Sequence, residues 1–375
     1  MKKIIFVIIL IILISISLFS QTGNPDKPLK GKWDFRMTKI WEIEDAGTDV
    51  IGGVQNIRAA KDGRIYIVDS KNLKIYIFSK DGKFISSFGR KGEGPGEIRV
   101  FSMGDQLFVV NRSAIYVDRG RIHYFSLDGA YKKSIIIPSS LRPRCFVSED
   151  VFVSAPPTVA DPRQKKAKIK LYNLKEQAET VISEFYPFDK ATDTQESAGG
   201  GRITVGIVIG NITPMIFVNY RDGKIYYGKS DSYKIDVVDL KGKELFGFYM
   251  EGRKQKKVSS AFKKELAAGL GDIPQKMVEN IINGLPEHAS FFQQIEVDKN
   301  GLIYVLVSDP DGKSIQAVDI FSPEGKYLYA SEIKVEEGHS IQNIYLRDSL
   351  LVLAIEDEED NPLVAKYSIN LPTGH

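Results

Sequence analysis

Cysteine is almost absent from this sequence of 375 residues, in which Cys145 is the single example. One thiol excludes an internal disulfide, even in a compartment that would allow disulfides to form. The fold must therefore be stabilised by the burial of apolar side chains and by strand pairing. We interpret Cys145 as a buried strand residue, because no histidine in the sequence is placed to be its catalytic partner.

Histidine is also scarce, and neither positive nor negative charge is in large excess. The four histidines do not assemble a zinc site, and no G-x-S-x-G motif is present. The formal net charge is +3 and falls to +1 without Lys2 and Lys3. A near-neutral chain lacks the strongly basic face that nucleic acids require, so no nucleic-acid partner is expected.

Long hydrophobic runs are missing after the first residues of the chain. The one such run, Ile4 to Phe19, follows a basic start and ends at the small residue Ser20. This pattern predicts a signal peptide over residues 1–20 and a linker over 21–32, with a periplasmic or secreted product and no membrane span after cleavage. No cysteine near the break would accept a lipid. The alternative is an uncleaved N-terminal anchor, although the run is shorter than the roughly 20 residues of a spanning helix.

The remaining sequence is dominated by an internal repeat. Three copies are clear, at 61–84, 221–245 and 299–328, and each contains a turn pair, an alternating Ile/Tyr/Val run, a polar break, a second run and a glycine turn. Weaker copies occupy 104–131, 149–177 and 347–370. Glycine accepts the positive φ of tight hairpin turns, so Asp-Gly between alternating apolar runs predicts a β-hairpin. The spacing of about 42 to 47 residues, with two enlarged gaps, is that of a four-stranded propeller blade.

Six copies predict an all-β fold, a six-bladed β-propeller over residues 33–371. The sixth copy ends after its third strand, and the run 33–45 belongs to no copy. We therefore expect 33–45 to supply the missing outer strand and to close the ring, which hides two free sheet edges. The glycine-rich stretch 88–97 is interpreted as a corner between blades, because Glu93, Glu97 and Pro95 make it unsuitable for phosphate.

These motifs carry a family resemblance. A strand ending in Phe-Gly, followed by "GEGPGE" and by "DGRIYIVD"-type turns, resembles NHL-type repeats and, more closely, the six-bladed propellers exported by Bacteroidota-like bacteria. The resemblance implies the fold and says little about function, because such proteins include interaction modules, lyases and lactonases. It also implies that a divalent cation held at the channel mouth is one alternative to a protein without a cofactor.

Long segments are expected on one face of the propeller. The sequence predicts tight turns between first and second and between third and fourth strands, whereas the long segments fall between second and third strands or between blades. One of them, 251–290, is predicted to hold two helices between blades 4 and 5, with Ser259 or Ser260 and then Asp272 as N-caps. Their apolar stripes could pack on the blade below or bind a partner or lipid. Binding loops concentrate where a rigid scaffold presents them, so this is the expected working face.

Two groups of site residues follow from this arrangement. Amides and arginines recur at the start of innermost strands, where they can hold ordered water or a polar ligand in the channel; they are Gln55, Asn56, Arg142, Arg144, Gln293, Gln294, Gln342 and Asn343. Oppositely charged loops lie on blades 3 and 6; they are Arg163, Lys165, Lys166 and Lys168 on one side and Glu356, Asp357, Glu358, Glu359 and Asp360 on the other.

Two classes of function remain open. The first is an exported, monomeric, non-catalytic binding or scaffold propeller that engages a protein, peptide or glycan through its elaborated face. The second is a metal-assisted hydrolase or lyase, similar to the lactonases, that acts at the mouth of the channel.

Overall fold

The computed structural model describes residues 20–98, 106–118, 120–156, 166–185, 194–196, 202–204, 212–271 and 273–372. The body of the predicted signal peptide (1–19) lies outside these residues, as do Arg163, Lys165 and Asp272. Within the described part, strand content dominates and two short helices are present.

Six sheets, each with four blade strands, form a propeller, and five N-terminal strands precede the first blade in the chain. The N-terminal strands are β1 (Ser20–Asn24), β2 (Lys32–Trp33), β3 (Thr38–Ile43), β4 (Asp45–Ala46) and β5 (Asp49–Val50). Blade 1 contains β6 (Val54–Ala59), β7 (Ile65–Asp69), β8 (Lys74–Phe78) and β9 (Phe84–Phe88). Blade 2 contains β10 (Gln106–Val110), β11 (Ser113–Asp118), β12 (Arg121–Ser126) and β13 (Tyr131–Ile136). Blade 3 contains β14 (Pro143–Ser148), β15 (Val151–Ser154), β16 (Ala167–Asn173) and β17 (Ala178–Phe185).

The second half of the chain continues the pattern after a small hairpin of β18 (Thr194–Glu196) and β19 (Arg202–Thr204). Blade 4 contains β20 (Ile216–Arg221), β21 (Lys224–Lys229), β22 (Lys234–Asp239) and β23 (Glu244–Met250). Two helices follow, α1 (Ser260–Gly269) and α2 (Gln275–Asn283). Blade 5 contains β24 (Phe292–Val297), β25 (Ile303–Val307), β26 (Ile315–Phe321) and β27 (Tyr327–Lys334), and blade 6 contains β28 (Ser340–Arg347), β29 (Leu350–Glu356) and β30 (Pro362–Ser368).

The core is divided among the interfaces between blades. The described residues form six large hydrophobic clusters, one between each pair of neighbouring blades, because both faces of every sheet are covered by the next blade. The tight turns hold the strands in register. Gly301, for example, has a φ of 81°, while the carboxylate of Asp298 accepts hydrogen bonds from the backbone N–H groups of Asn300 and Leu302.

The predicted closure of the ring is confirmed. Strand β3 pairs antiparallel with β30, from Thr38 opposite Ser368 to Ile43 opposite Val364, and completes blade 6 as its outer strand. Residues from the two ends of the chain therefore share one sheet, and blade 6 packs against blade 1 through the cluster that contains Tyr345 and Ile57.

Residues 20–33 lie along the outer edges of blades 4 and 5 and are here called the belt. The sequence predicts most of this segment, 21–32, to be a linker. Strand β1 pairs in parallel with β23 of blade 4, and β2 pairs in parallel with β27 of blade 5. Each adds a fifth strand to an outer edge that would otherwise be open. The sequence gives no sign of this pairing, because main-chain hydrogen bonds to an edge need no alternation of apolar side chains.

A buried ion pair anchors the belt between blades 4 and 5. The guanidinium of Arg253 donates to Asp319 Oδ2 at 2.9 Å, and also contacts Asp26 of the belt. It lies over the rings of Tyr233 and Tyr327, whose hydroxyls both donate to the carboxylate of Asp319 at 2.6 Å. Since Asp319 is 4% exposed, these three donors provide the compensation that a buried carboxylate needs.

The helical insert lies where it is predicted, between β23 and β24. Ser259 caps α1 by accepting a hydrogen bond from the N–H of Phe262, and α2 ends at Gly284. Phe262 packs against a small cluster that contains Val258 and Ala289. The start of the first predicted apolar stripe therefore rests on the propeller rather than facing solvent.

Deletion of residues 33–45 is expected to abolish cooperative folding, because it removes the outer strand of blade 6 and opens the ring. Calorimetry should show no unfolding transition for this variant. Deletion of residues 20–24 is the matched control, and it should give a transition at a lower temperature, because it uncovers one edge of blade 4 and leaves the ring closed. A normal transition after deletion of 33–45 would contradict this account of closure.

Candidate functional site

The six inner strands enclose a central channel. They are β6, β10, β14, β20, β24 and β28, and each contacts the inner strand of the next blade. They run from the face that carries the long segments, here called the loop face, towards the face that carries the hairpin turns, here called the turn face. Residues early in an inner strand therefore lie near the loop face.

Amide side chains link neighbouring inner strands around much of the ring. Asn219 of blade 4 donates to the carbonyl of Ile295 in blade 5 at 3.0 Å. Gln294 donates to the carbonyl of Ile344 in blade 6 at 3.4 Å, and Asn343 donates to the carbonyl of Gln55 in blade 1 at 3.0 Å. These bonds run in one direction, from each blade to the next along the chain.

The same direction continues from blade 1 to blade 2. In the orientation that satisfies both atoms of its amide, Asn56 donates to the carbonyl of Leu107 at 3.1 Å and accepts from Arg58. Two more of the predicted amides bond within their own blades, Gln293 to Gln316 and Gln342 to Ser340 and Glu356. Protein groups therefore occupy much of the hydrogen-bonding capacity that the sequence assigns to a channel ligand.

A charged cluster deeper in the channel was not predicted. Its carboxylate, Glu296, accepts hydrogen bonds from Asn219 at 3.0 Å and from Gln294 at 2.9 Å. Burial raises the pKa of Glu296, while the positive charges of Arg58 and Arg347 oppose that shift. Burial likewise lowers the pKa of Arg58. The enclosure disfavours both charges, and each one partly compensates the other.

The repeat alignment contains a signal for this cluster. Arg58, Asn219 and Glu296 each stand opposite the tyrosine of an Ile-Tyr pair on the next strand, namely Tyr66, Tyr226 and Tyr304. The position is equivalent in three blades and polar in all three. Inspection of the inner strands position by position, rather than of their amides alone, would have identified it.

Arg142 and Arg144 stand at the mouth of the channel on the loop face. Arg144 is the second residue of β14 and donates to the carbonyl of Pro156 at 3.2 Å. Arg142 lies just before that strand and donates to the carbonyls of Ser139 and Leu141. That both side chains line the channel stays a prediction.

The oppositely charged loops are only partly described. Lys166 and Lys168 both pair with Glu184 of their own blade, at 3.4 and 2.9 Å, while Arg163 and Lys165 lie outside the described residues. In the acidic loop, Asp357 accepts hydrogen bonds from the N–H groups of Glu359 and Asn361 and so shapes its own turn. Burial, and then the charge of Asp360, raises the pKa of Glu356.

The structure also describes the single thiol and a groove on the surface. Cys145 is half-buried in β14, and burial raises the pKa of its thiol to about 12, so it is not a reactive thiolate at neutral pH. Among the described residues, no group of three or more His, Cys, Asp or Glu side chains could hold a metal ion. A groove of about 610 Å³ opens on the turn face where the chain ends cross, lined by Trp33, Arg36, Lys299 and Asn370 among others.

The closed ring of six four-stranded blades defines a six-bladed β-propeller. The chain belongs to the family DUF5128, described as a 6-bladed beta-propeller, whose model matches residues 47–234. No curated protein matches the chain. In the described part of the chain, no helix is long and apolar enough to cross a membrane.

Two crystal structures from Bacteroides are similar to this fold. One is described as an exported protein from Bacteroides fragilis NCTC 9343, with 15% identity and a TM-score of 0.54, over 94% of this chain and 100% of that chain. The other is a member of the DUF4221 family from Bacteroides vulgatus, with 11% identity and a TM-score of 0.52, over 90% and 99% of the two chains. The TM-scores show a similar fold, and at these identities the similarity shows nothing beyond the fold. The NHL-type repeat stays a prediction.

Substitution Glu296→Gln should change how stability depends on pH. Because the pKa of Glu296 is raised on folding, the unfolded wild-type chain loses this proton at lower pH than the folded chain does. Wild-type stability should therefore fall relative to the variant as pH rises from about 4 towards 7. Melting temperatures across this range test the prediction, with Glu287→Gln, an exposed glutamate near α2, as the control. A constant difference between wild type and Glu296→Gln would refute it.

Proposed function

We propose that this propeller is an exported, non-catalytic binding module that engages a protein, peptide or glycan through its loop face. The observation that carries the proposal is the asymmetry between the two faces. On the turn face, consecutive strands of a blade are joined by short hairpin turns. On the loop face, the connections between strands include the helical insert, the β18–β19 hairpin and both charged loops. A rigid ring that presents elaborated segments on one side has the form of a recognition scaffold.

The charges on the loop face suggest how a partner would be oriented. Blades 3 and 6 stand opposite each other in a ring of six, so we expect the basic and acidic loops to lie across the channel mouth from one another. A polarised partner would be attracted in one orientation, and salt would weaken that attraction. The ion pairs of Lys166 and Lys168 with Glu184 reduce the basic charge without removing it, because one carboxylate serves two lysines.

The second candidate, a metal-assisted hydrolase or lyase at the channel mouth, finds less support. The enclosed carboxylate that could ligate a cation, Glu296, is already hydrogen-bonded by two amides and has two arginines nearby. Positive neighbours disfavour a divalent cation. Elemental analysis of the purified protein, with melting curves before and after chelation, separates the two functions. A stoichiometric divalent cation whose removal lowers the melting temperature would favour the enzyme.

Neutralisation of the basic loop tests the binding function. The variant with Arg163, Lys165, Lys166 and Lys168 changed to Gln should melt within a degree or two of wild type, because exposed ion pairs contribute about 0 to 1 kcal/mol. At low salt it should capture immobilised acidic peptides or glycans from a defined panel more weakly than wild type, and the difference should disappear at high salt.

A turn-face variant provides the matched control. Lys61, Lys241, Lys243 and Lys326 are exposed lysines of the hairpin turns, and changing them to Gln removes the same total charge from the opposite face. This control should bind the panel like wild type. Equal capture by all three proteins at low salt would remove the loop charges from the proposed site.

A further inference from the structure

Arg144 is a partly enclosed arginine that has no carboxylate beside it among the described residues. Other enclosed arginines have an acidic neighbour. Arg253 pairs with Asp319, and Arg64 pairs with Asp62. The negative charge of Glu296 acts on Arg58. The charged group that acts on Arg144 is instead another cation, Arg142. A guanidinium that is removed from water without an anion is electrostatically costly, so its position in the channel wall calls for an explanation.

The hydrogen bonding of Arg144 is also incomplete. One terminal nitrogen donates to the carbonyl of Pro156, while Nε is shielded from solvent and has no acceptor. Buried donors are nearly always satisfied in folded proteins, and an unsatisfied one suggests an absent ligand or water. Burial, followed by the charge of Arg142, lowers the pKa of Arg144 to about 10, which agrees with a cation that lacks its counter-charge.

The location of this arginine makes it accessible to a ligand. Arg144 is half-buried at the loop-face end of β14, and the exposed Arg142 precedes it in the link from blade 2. Because the residue is only half-buried, part of its side chain is accessible from the mouth of the channel. The two terminal nitrogens of a guanidinium form a planar fork that matches two oxygens of a carboxylate or phosphate.

We propose that Arg144, assisted by Arg142, binds an oxyanion at the loop-face mouth of the channel. The site recognises a carboxylate or phosphate group of the ligand, with Arg144 supplying directed donors and Arg142 supplying charge. The inference rests on the proposed function in one respect, since it places the ligand on the same face. It adds the chemical class of the group that is recognised.

Thermal unfolding of the full chain with small anions tests this site without any partner. Acetate and phosphate are added separately, each against sodium chloride of equal ionic strength. For a dissociation constant on the order of 10 mM, 50 mM of the preferred anion should raise the melting temperature by about 2 °C. A response to acetate alone identifies a carboxylate, and a response to phosphate alone identifies a phosphate.

Two variants decide whether the response comes from this site. Arg144→Gln should melt at or above the wild-type temperature in chloride, because an uncompensated buried charge is removed, and it should lose the anion-dependent rise. Arg112→Gln, at an exposed turn-face arginine, should keep that rise. No response in wild type, or an equal response in Arg144→Gln, would overturn the proposal. Because small ions are used, this outcome is independent of whether the loop charges capture a macromolecule.

Discussion

The pairing of β3 with β30 is the constraint on which the rest of this structure depends. It joins Thr38 to Ser368 across almost the whole chain and completes the sixth blade. Each blade buries both faces against its neighbours, so an open ring would expose the faces of two blades together. The single cysteine leaves no covalent alternative, and strand pairing between distant segments must supply the closure. The belt and the Arg253 ion pair then stabilise the outer edges of blades 4 and 5, next to the closed blade 6.

The channel is stabilised by polar groups that link one blade to another. Four amides bond to carbonyls of the next blade, so inner strands that cannot pair side by side along their length are still linked. Deeper in the channel, Glu296 lies among cations from other blades, which makes a charge on one blade depend on the others. Among the described residues, Arg144 has another cation rather than a carboxylate as its charged neighbour, which makes the loop-face mouth the most informative region for ligand recognition.

The sequence predicted the fold well because its signals are local. Asp-Gly turns and alternating runs define hairpins within a few residues, and a count of strands per repeat was enough to predict that 33–45 closes blade 6. The belt was missed because Ser20–Asn24 pairs through its backbone. The channel amides were identified, but their partners depend on the distance between inner strands. The charges of Glu296 and Arg58 influence each other only because the ring arranges blades 5 and 1 around one channel.

The belt also sets an order on assembly. Asn24 accepts a hydrogen bond from Tyr327, a separation of 303 residues, so a segment made at the start of synthesis has its partners near the end. Contacts of such range form late, because the entropy of closing a long loop must be lost first. The complete ring therefore cannot form until nearly the whole chain is present. In a polypeptide that crosses a membrane from its N-terminus, the ring would close only after nearly the whole chain has crossed.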